Sequence, residues 1–240
     1  GGLTGPLEGF DFFGSSTTPI GDLDGDGIVD LAVGAYQDDD GGSSRGAVYI
    51  LFLNADGTVR AEQKISAIEG GLTGPLDDGD QFGRHIGSIG DLDGDGRIEM
   101  AVGAFRGDDG GSNRGELYIL FLNADGTVRA EQKISDTEGG LTEVLGNTDK
   151  FGRSVAGPGD IDNDGVPDLV VGATGDDDGG SSAGAIYVLF LNSDGTVKAE
   201  QKISDSAGGF ETDLDASDSF GSSVAGLGDL DGDGTVGLAI

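Results

Sequence analysis

Cysteine is absent from this 240-residue sequence, so neither disulfides nor thiolate metal sites can hold it together. That removes zinc-finger chemistry and leaves the compartment open. Basic residues are scarce: 13 Lys and Arg stand against 45 Asp and Glu, for a formal net charge of −32. So acidic a surface does not suit nucleic acid, whose phosphates need a basic footprint. It also carries a self-repulsion that bound cations would relieve. Long apolar runs are missing as well: none approaches a membrane span, and no signal peptide is visible. Proline occurs five times and histidine once. Glycine is plentiful at 49 residues, yet 35% of the chain is hydrophobic and falls in ordered runs, which argues against disorder.

Internal repetition dominates the rest. Phe13-Gly14, Phe82-Gly83, Phe151-Gly152 and Phe220-Gly221 succeed one another at a spacing of 69 residues, as do Asp22, Asp91, Asp160 and Asp229. Tyr49, Tyr118 and Tyr187 keep the same interval, and Gly1 to Leu7 returns unchanged as Gly70 to Leu76. The expected units are 1–69, 70–138, 139–207 and a partial 208–240, together one incomplete domain. The sequence opens within its own pattern at Gly1 and stops as abruptly at Ile240, so a segment of a longer chain is expected.

Four strands are expected in each unit. In the first, they run from about Phe13 to Ile20, from Val29 to Ala35, from Ala47 to Leu53 and from Thr58 to Ser66. The third is continuously apolar, as a strand buried on both faces should be. The fourth alternates, and is reached through Asn54-Ala55-Asp56-Gly57, a hairpin turn signal. Four antiparallel strands per repeat, with no helical period, describe the blade of an all-β propeller. Gly34-Ala35 on the second strand would let blades converge near the axis, and the charged fourth strand would guard the outer edge. A solenoid is the rival, but its repeats are usually shorter.

The chemistry lies in Asp22-Leu23-Asp24-Gly25-Asp26-Gly27-Ile28-Val29-Asp30, which recurs at Asp91 to Glu99 and at Asp160 to Asp168. Carboxylates at positions 1, 3, 5 and 9 converge only if the chain curls round one point. Glycine at position 6 allows the bend, and the position 7 carbonyl (Ile28, Arg97, Val166) can add an oxygen. Several hard oxygens at this spacing suit calcium better than magnesium. An EF-hand would need Glu at position 12, where Val33, Val102 and Val171 stand inside apolar strands. In the fourth copy Asp229, Asp231 and Asp233 lack a position 9 carboxylate, because Gly237 replaces it; weak binding or none is expected.

Phe-Gly opening each unit, the DxDxDGxxD loop and the Gly-Ala and Gly-Ala-Val-Tyr strands resemble the FG-GAP repeats of integrin α-subunit propellers and related bacterial surface proteins. The resemblance covers essentially the whole chain. It implies calcium between the first and second strands of a blade, held by Asp22, Asp24, Asp26 and Asp30; by Asp91, Asp93, Asp95 and Glu99; and by Asp160, Asp162, Asp164 and Asp168. One departure is that Tyr36, Phe105 and Thr174 replace the proline of the GAP element. The family forms closed rings, so further repeats or self-association would be needed here.

The acidic stretch Asp38-Asp39-Asp40 between the second and third strands reads first as a solvated turn, with an added cation site or an acidic recognition rim as the alternatives. Arg106-Gly107-Asp108 spells a cell-adhesion tripeptide, but chance explains it in an Asp/Gly-rich turn; His85, alone in its series, reads as incidental. The function expected is a calcium-stabilised scaffold for extracellular adhesion or recognition of a protein or glycan ligand. The alternative is an accessory or spacer propeller within a larger secreted enzyme or surface protein. No catalysis is expected, because no unique polar cluster stands out against the repeat, and no membrane insertion.

Overall fold

A computed structural model describes residues 7–240, so the opening Gly1 to Pro6 of the first repeat lies outside the described residues. The described chain is all-β. In the first sheet, β1 (Thr17–Pro19), β2 (Leu31–Ala35), β3 (Ala47–Leu53) and β4 (Val59–Ile65) pair antiparallel in chain order. The second sheet repeats this with β5 (His85–Gly90), β6 (Glu99–Ala104), β7 (Glu116–Leu122) and β8 (Val128–Ile134). A third follows with β9 (Phe151–Gly159), β10 (Asp168–Ala173), β11 (Ala185–Leu191) and β12 (Val197–Ile203), and β13 (Ala225–Gly228) pairs with β14 (Gly237–Ala239). These repeated meanders are propeller blades.

The apolar third strands explain the stacking. Along β7, Tyr118, Leu120 and Leu122 join a core with Val48, Ile50 and Phe52 of the first sheet. The alternate residues Leu117, Ile119 and Phe121 join a second core with Val171, Tyr187 and Leu189 of the third. A strand sandwiched between two sheets must be apolar at every position, and each such side chain contributes about 1.5–3 kcal/mol relative to exposure.

Glycine sets how closely the blades approach. A Cβ on Gly34, Gly103 or Gly172 would lie 2.0 Å from the carbonyl oxygen of Gly83, Gly152 or Gly221, the glycine of the next Phe-Gly pair. The Phe-Gly and Gly-Ala motifs are thus two halves of one contact between blades. Within its own blade the phenylalanine meets the third-strand tyrosine edge-on: Phe82 to Tyr118 and Phe151 to Tyr187, each at 5.5 Å between ring centroids.

Two expectations change in detail. The first strand of the first unit is only Thr17–Pro19, whereas its counterpart in the third unit runs from Phe151 to Gly159. The outer edge is guarded by chain as well as by charge. Gly70 and Gly139 accept hydrogen bonds from Val128 N and Val197 N at 2.8 Å, so each incoming connection crosses the outer strand of its own blade.

Candidate metal centres

The acidic loops occupy one end of the blades, between the first and second strands. Each is shaped by its first aspartate. Asp22 accepts N–H bonds from Gly25, Asp26 and Gly27 at 2.8–2.9 Å, and Asp91, Asp160 and Asp229 organise their loops in the same manner. Position 6 is left-handed in every copy (φ 86°, 88°, 92° and 88° at Gly27, Gly96, Gly165 and Gly234), which requires glycine. Position 4 is left-handed too. Asn163 (φ 59°) can replace glycine there because Asn tolerates this region better than other side chains.

Carboxylate oxygens of Asp22, Asp24 and Asp30 lie within 4.8 Å of one another. So do those of Asp91, Asp93 and Glu99, those of Asp160, Asp162 and Asp168, and those of Asp229, Asp231 and Asp233. Positions 1, 3 and 9 therefore converge in the three complete loops, as their spacing led one to expect. Position 5 does not join them. Asp26, Asp95 and Asp164 each turn one oxygen to the N–H of position 7, at 2.9 Å from Ile28, Arg97 and Val166, and the other towards a basic side chain of the outer strand.

That basic side chain was not anticipated as part of the site. Arg60 pairs with Asp24 and Asp26, Arg129 with Asp93 and Asp95, and Lys198 with Asp162 and Asp164. The hairpin between the third and fourth strands folds these cations back over the loop. Its signal was present in the sequence: a basic residue two positions beyond Thr58, Thr127 or Thr196 in every complete repeat.

The ninth-position acids are fully buried at the base of each loop. Asp30 bridges Leu23 N and Leu53 N at 3.1 Å, and Asp168 bridges Ile161 N (2.7 Å) and Leu191 N (3.2 Å). Glu99 accepts from Leu92 N at 2.6 Å through Oε2, while its buried Oε1 has no hydrogen-bond partner. Burial pushes Asp30 and Asp168 above the usual carboxylate range; burial, with Asp93 and Asp95 nearby, pushes Glu99 up to about 7. A buried carboxylate with one unpartnered oxygen, converging with two further carboxylates, fits a hard cation.

At the opposite end, the Asp38-Asp39-Asp40 stretch is not the solvated turn expected. Asp38 and Asp176 are buried, and Lys64 and Lys202 reach in to bridge Asp38 with Asp40 and Asp176 with Asp178 at 2.6–2.8 Å. Burial opposes the charge on Lys64, but its bonds to Asp38 and Asp40 prevail and hold its pKa above the ordinary lysine value. In these turns the cation is a lysine of the same blade. Where the second repeat has Gly107 in place of Asp38, Glu116 replaces Ala47 and supplies the carboxylate to Lys133 at 2.9 Å. A Cβ on Gly107 would meet the Glu116 carboxyl carbon at 2.2 Å. Gly107 of the Arg-Gly-Asp tripeptide is therefore the space that Glu116 fills, and Asp108 accepts Asn113 N at 2.7 Å, as its counterpart Asp177 accepts Ser182 N.

His85 accepts Val155 N on Nδ1 at 3.3 Å, and burial together with Arg153 and Arg84 lowers its pKa from the ordinary histidine value. Close to the lysine network, Asp80 and Asp149 accept Asp77 N and Gly146 N, and burial pushes them up to about 7 and about 6. A carboxyl raised on folding binds protons more tightly in the folded state, so its contribution is greatest in acid and is lost as pH rises from about 4 to about 7. Asp80→Asn is expected to raise stability by about 1–3 kcal/mol at pH 8 and far less at pH 4.5. Thermal melts at both pH values check this; an equal effect at the two would refute it.

Repeated four-stranded blades with Phe-Gly contacts between them and an acidic loop at one end define a β-propeller of the FG-GAP kind. The FG-GAP repeat family matches residues 13–51 and 151–189, and the chain belongs to that family. It is 36% identical over 167 residues to integrin alpha-3 of Cricetulus griseus, covering 69% of this chain and 14% of that protein. Integrin alpha-PS2 of Drosophila melanogaster is 34% identical over 180 residues (73% of this chain, 12% of that protein). Integrin alpha-IIb of Homo sapiens is 35% identical over 169 residues (68% and 15%). The chain thus spans roughly a seventh of the length of these relatives. Among the described residues, no helix is long and apolar enough to cross a membrane.

Proposed function

We propose that the chain is a calcium-stabilised propeller scaffold serving extracellular adhesion or recognition, without catalysis of its own. The observation that carries the reading is the convergence of positions 1, 3 and 9 in three loops, with Glu99 Oε1 left unpartnered among them. The holding residues would be Asp22, Asp24 and Asp30; Asp91, Asp93 and Glu99; and Asp160, Asp162 and Asp168. Asp26, Asp95 and Asp164, with the carbonyls of Ile28, Arg97 and Val166, would complete the shells once the side chains of position 5 leave Arg60, Arg129 and Lys198. When bound, calcium would supply the positive charge that these carboxylates otherwise share with the outer-strand cations. The three whole repeats and the partial fourth act as one domain, and the ring closes through further repeats or association of chains. An extracellular setting follows from the metal chemistry, since weak calcium sites fill only where calcium is abundant. The relatives' name, integrin, supports adhesion and a protein partner.

Calorimetric titration with calcium tests the metal assignment. About three sites per chain are expected, with magnesium binding more weakly. Asp229→Ala should leave that number unchanged, because the fourth loop has no ninth-position acid. A titration without heat, accompanied by an unchanged melt, would refute the assignment and leave the loops as acidic turns.

A further inference from the structure

The three full repeats are nearly superimposable in sequence along their outer strands, VRAEQKI, VRAEQKI and VKAEQKI. Among the positions where they part company are four that the fold gathers in one place. One position carries Tyr36, Phe105 and Thr174, and the next Gln37, Arg106 and Gly175. A third carries Phe12, Gln81, Lys150 and Ser219, and a fourth Ser15, Arg84, Arg153 and Ser222. Eleven of these side chains form the lining of a single cavity of about 420 Å³. It lies past the ends of β2, β6 and β10, whereas the metal-loop acids stand at or just before the starts of the same strands. The third position is left-handed in every copy (Phe12, Gln81, Lys150 and Ser219 at φ 53–62°) without being glycine, so the backbone holds a side chain there at a conformational cost.

The charge of the cavity runs against that of the molecule. Of 13 basic residues in the chain, Arg45, Arg60, Lys64, Arg97, Arg114, Arg129, Lys133, Lys198 and Lys202 sit against carboxylates. The other four, Arg84, Arg106, Lys150 and Arg153, have no carboxylate partner among the described residues, and all four line this cavity. In a protein with 45 acids, four unpaired cations brought together leave a place for an anion from outside. Arg84 lies over the Tyr36 ring at 4.8 Å and Arg153 over the Phe105 ring at 5.3 Å. Stacking fixes each guanidinium plane and leaves its N–H edge for an acceptor in that plane. Burial and the neighbouring Arg84 push Arg153 below its ordinary value, a penalty that a bound anion would relieve. The remaining walls are amides and hydroxyls: Gln37, Gln81, Thr174, Ser219 and Ser222.

We propose that this cavity binds an acidic sugar, with Arg84 and Arg153 gripping its carboxylate and the amides and hydroxyls meeting its hydroxyls. The proposal rests on the recognition half of the proposed function and not on the metal. It gives the end away from the acidic loops a ligand chemistry, and it is basic where the sequence pointed to an acidic rim. The volume accommodates one or two sugar rings, and lone apolar ligands are disfavoured by the polar walls.

The test is titration of the full chain, in saturating calcium, with sodium glucuronate, glucose and sodium sulfate, followed by ligand-observed NMR. Glucuronate is expected to bind at least about tenfold more tightly than glucose, and more tightly than sulfate. Arg84→Ser with Arg153→Ser installs the residue that the first and fourth repeats carry at this position. It should weaken glucuronate at least about tenfold with an equal or higher melting temperature. Glucuronate binding no tighter than glucose, or indifferent to the double substitution, would overturn the proposal. Sulfate binding as tightly as glucuronate would overturn the sugar assignment. Because glucuronate reports on the cavity and calorimetry in calcium on the loops, failure of one reading is distinguishable from failure of the other.

Discussion

Chelation of calcium is expected to lower the melting temperature of this chain by about 15–30 °C. A site filled at a hundred times its dissociation constant adds about 2.7 kcal/mol, so three independent sites add about 8 kcal/mol. For a chain of this size each kcal/mol moves the melting temperature by about 2–4 °C. The figure is a ceiling, because the loops have internal counterions. Arg60, Arg129 and Lys198 already touch the acids of positions 3 and 5, so part of the repulsion is offset before any metal binds. The same contacts give the prediction a second arm. Replacing all three cations with Gln should deepen the loss in chelator while leaving the melt in calcium within a few degrees. Melts with calcium, magnesium and chelator would decide: a shift below about 3 °C for both proteins would show that the loops are held by their hydrogen bonds alone.

The second large effect concerns the buried Lys133. Glu116→Ala is expected to cost about 2–3 kcal/mol, since Lys133 would keep only Asp109 and lose its buried partner. Gly107→Asp alone should also destabilise, because its new side chain would enter the space of the Glu116 carboxyl group. Together the two substitutions recreate the arrangement of the first and third repeats, in which Asp38 and Asp176 stand above Ala47 and Ala185. The double variant should therefore recover most of the loss, with a coupling of about 2 kcal/mol in a double-mutant cycle by denaturant unfolding. Strictly additive costs would mean that the lysine needs no second carboxylate and that Glu116 is packing only.

Much of the fold was legible because the signals were periodic. Ala47 to Leu53 is read as a doubly buried strand from its composition, and the structure buries its two faces in different cores. The 69-residue interval sets the number of four-stranded sheets, and the spacing of Asp22, Asp24 and Asp30 anticipates their convergence. Position 5 stands apart from the other acids of its loop for an identifiable reason. Asp26 is equally spaced in sequence, but an N–H two residues ahead and an arginine 34 residues away compete for it. Local spacing carries no information about that arginine until the hairpin folds. Asp38 reads as a turn residue along the chain because its partner, Lys64, is 26 residues distant and lies on the outer strand.

The sequence alone determined the period, the strand character and the left-handed glycines of the loops, since these depend on neighbours along the chain. Tertiary structure decided what the repeat conceals. Differences scattered through four repeats, such as Arg84, Arg106, Lys150 and Arg153, look like drift when read along the chain. They become one basic cavity because stacked blades place equivalent residues side by side at a common rim. Stacking turns a separation of 69 residues into a few ångströms, and only at that distance does the absence of a neutralising carboxylate acquire a physical consequence.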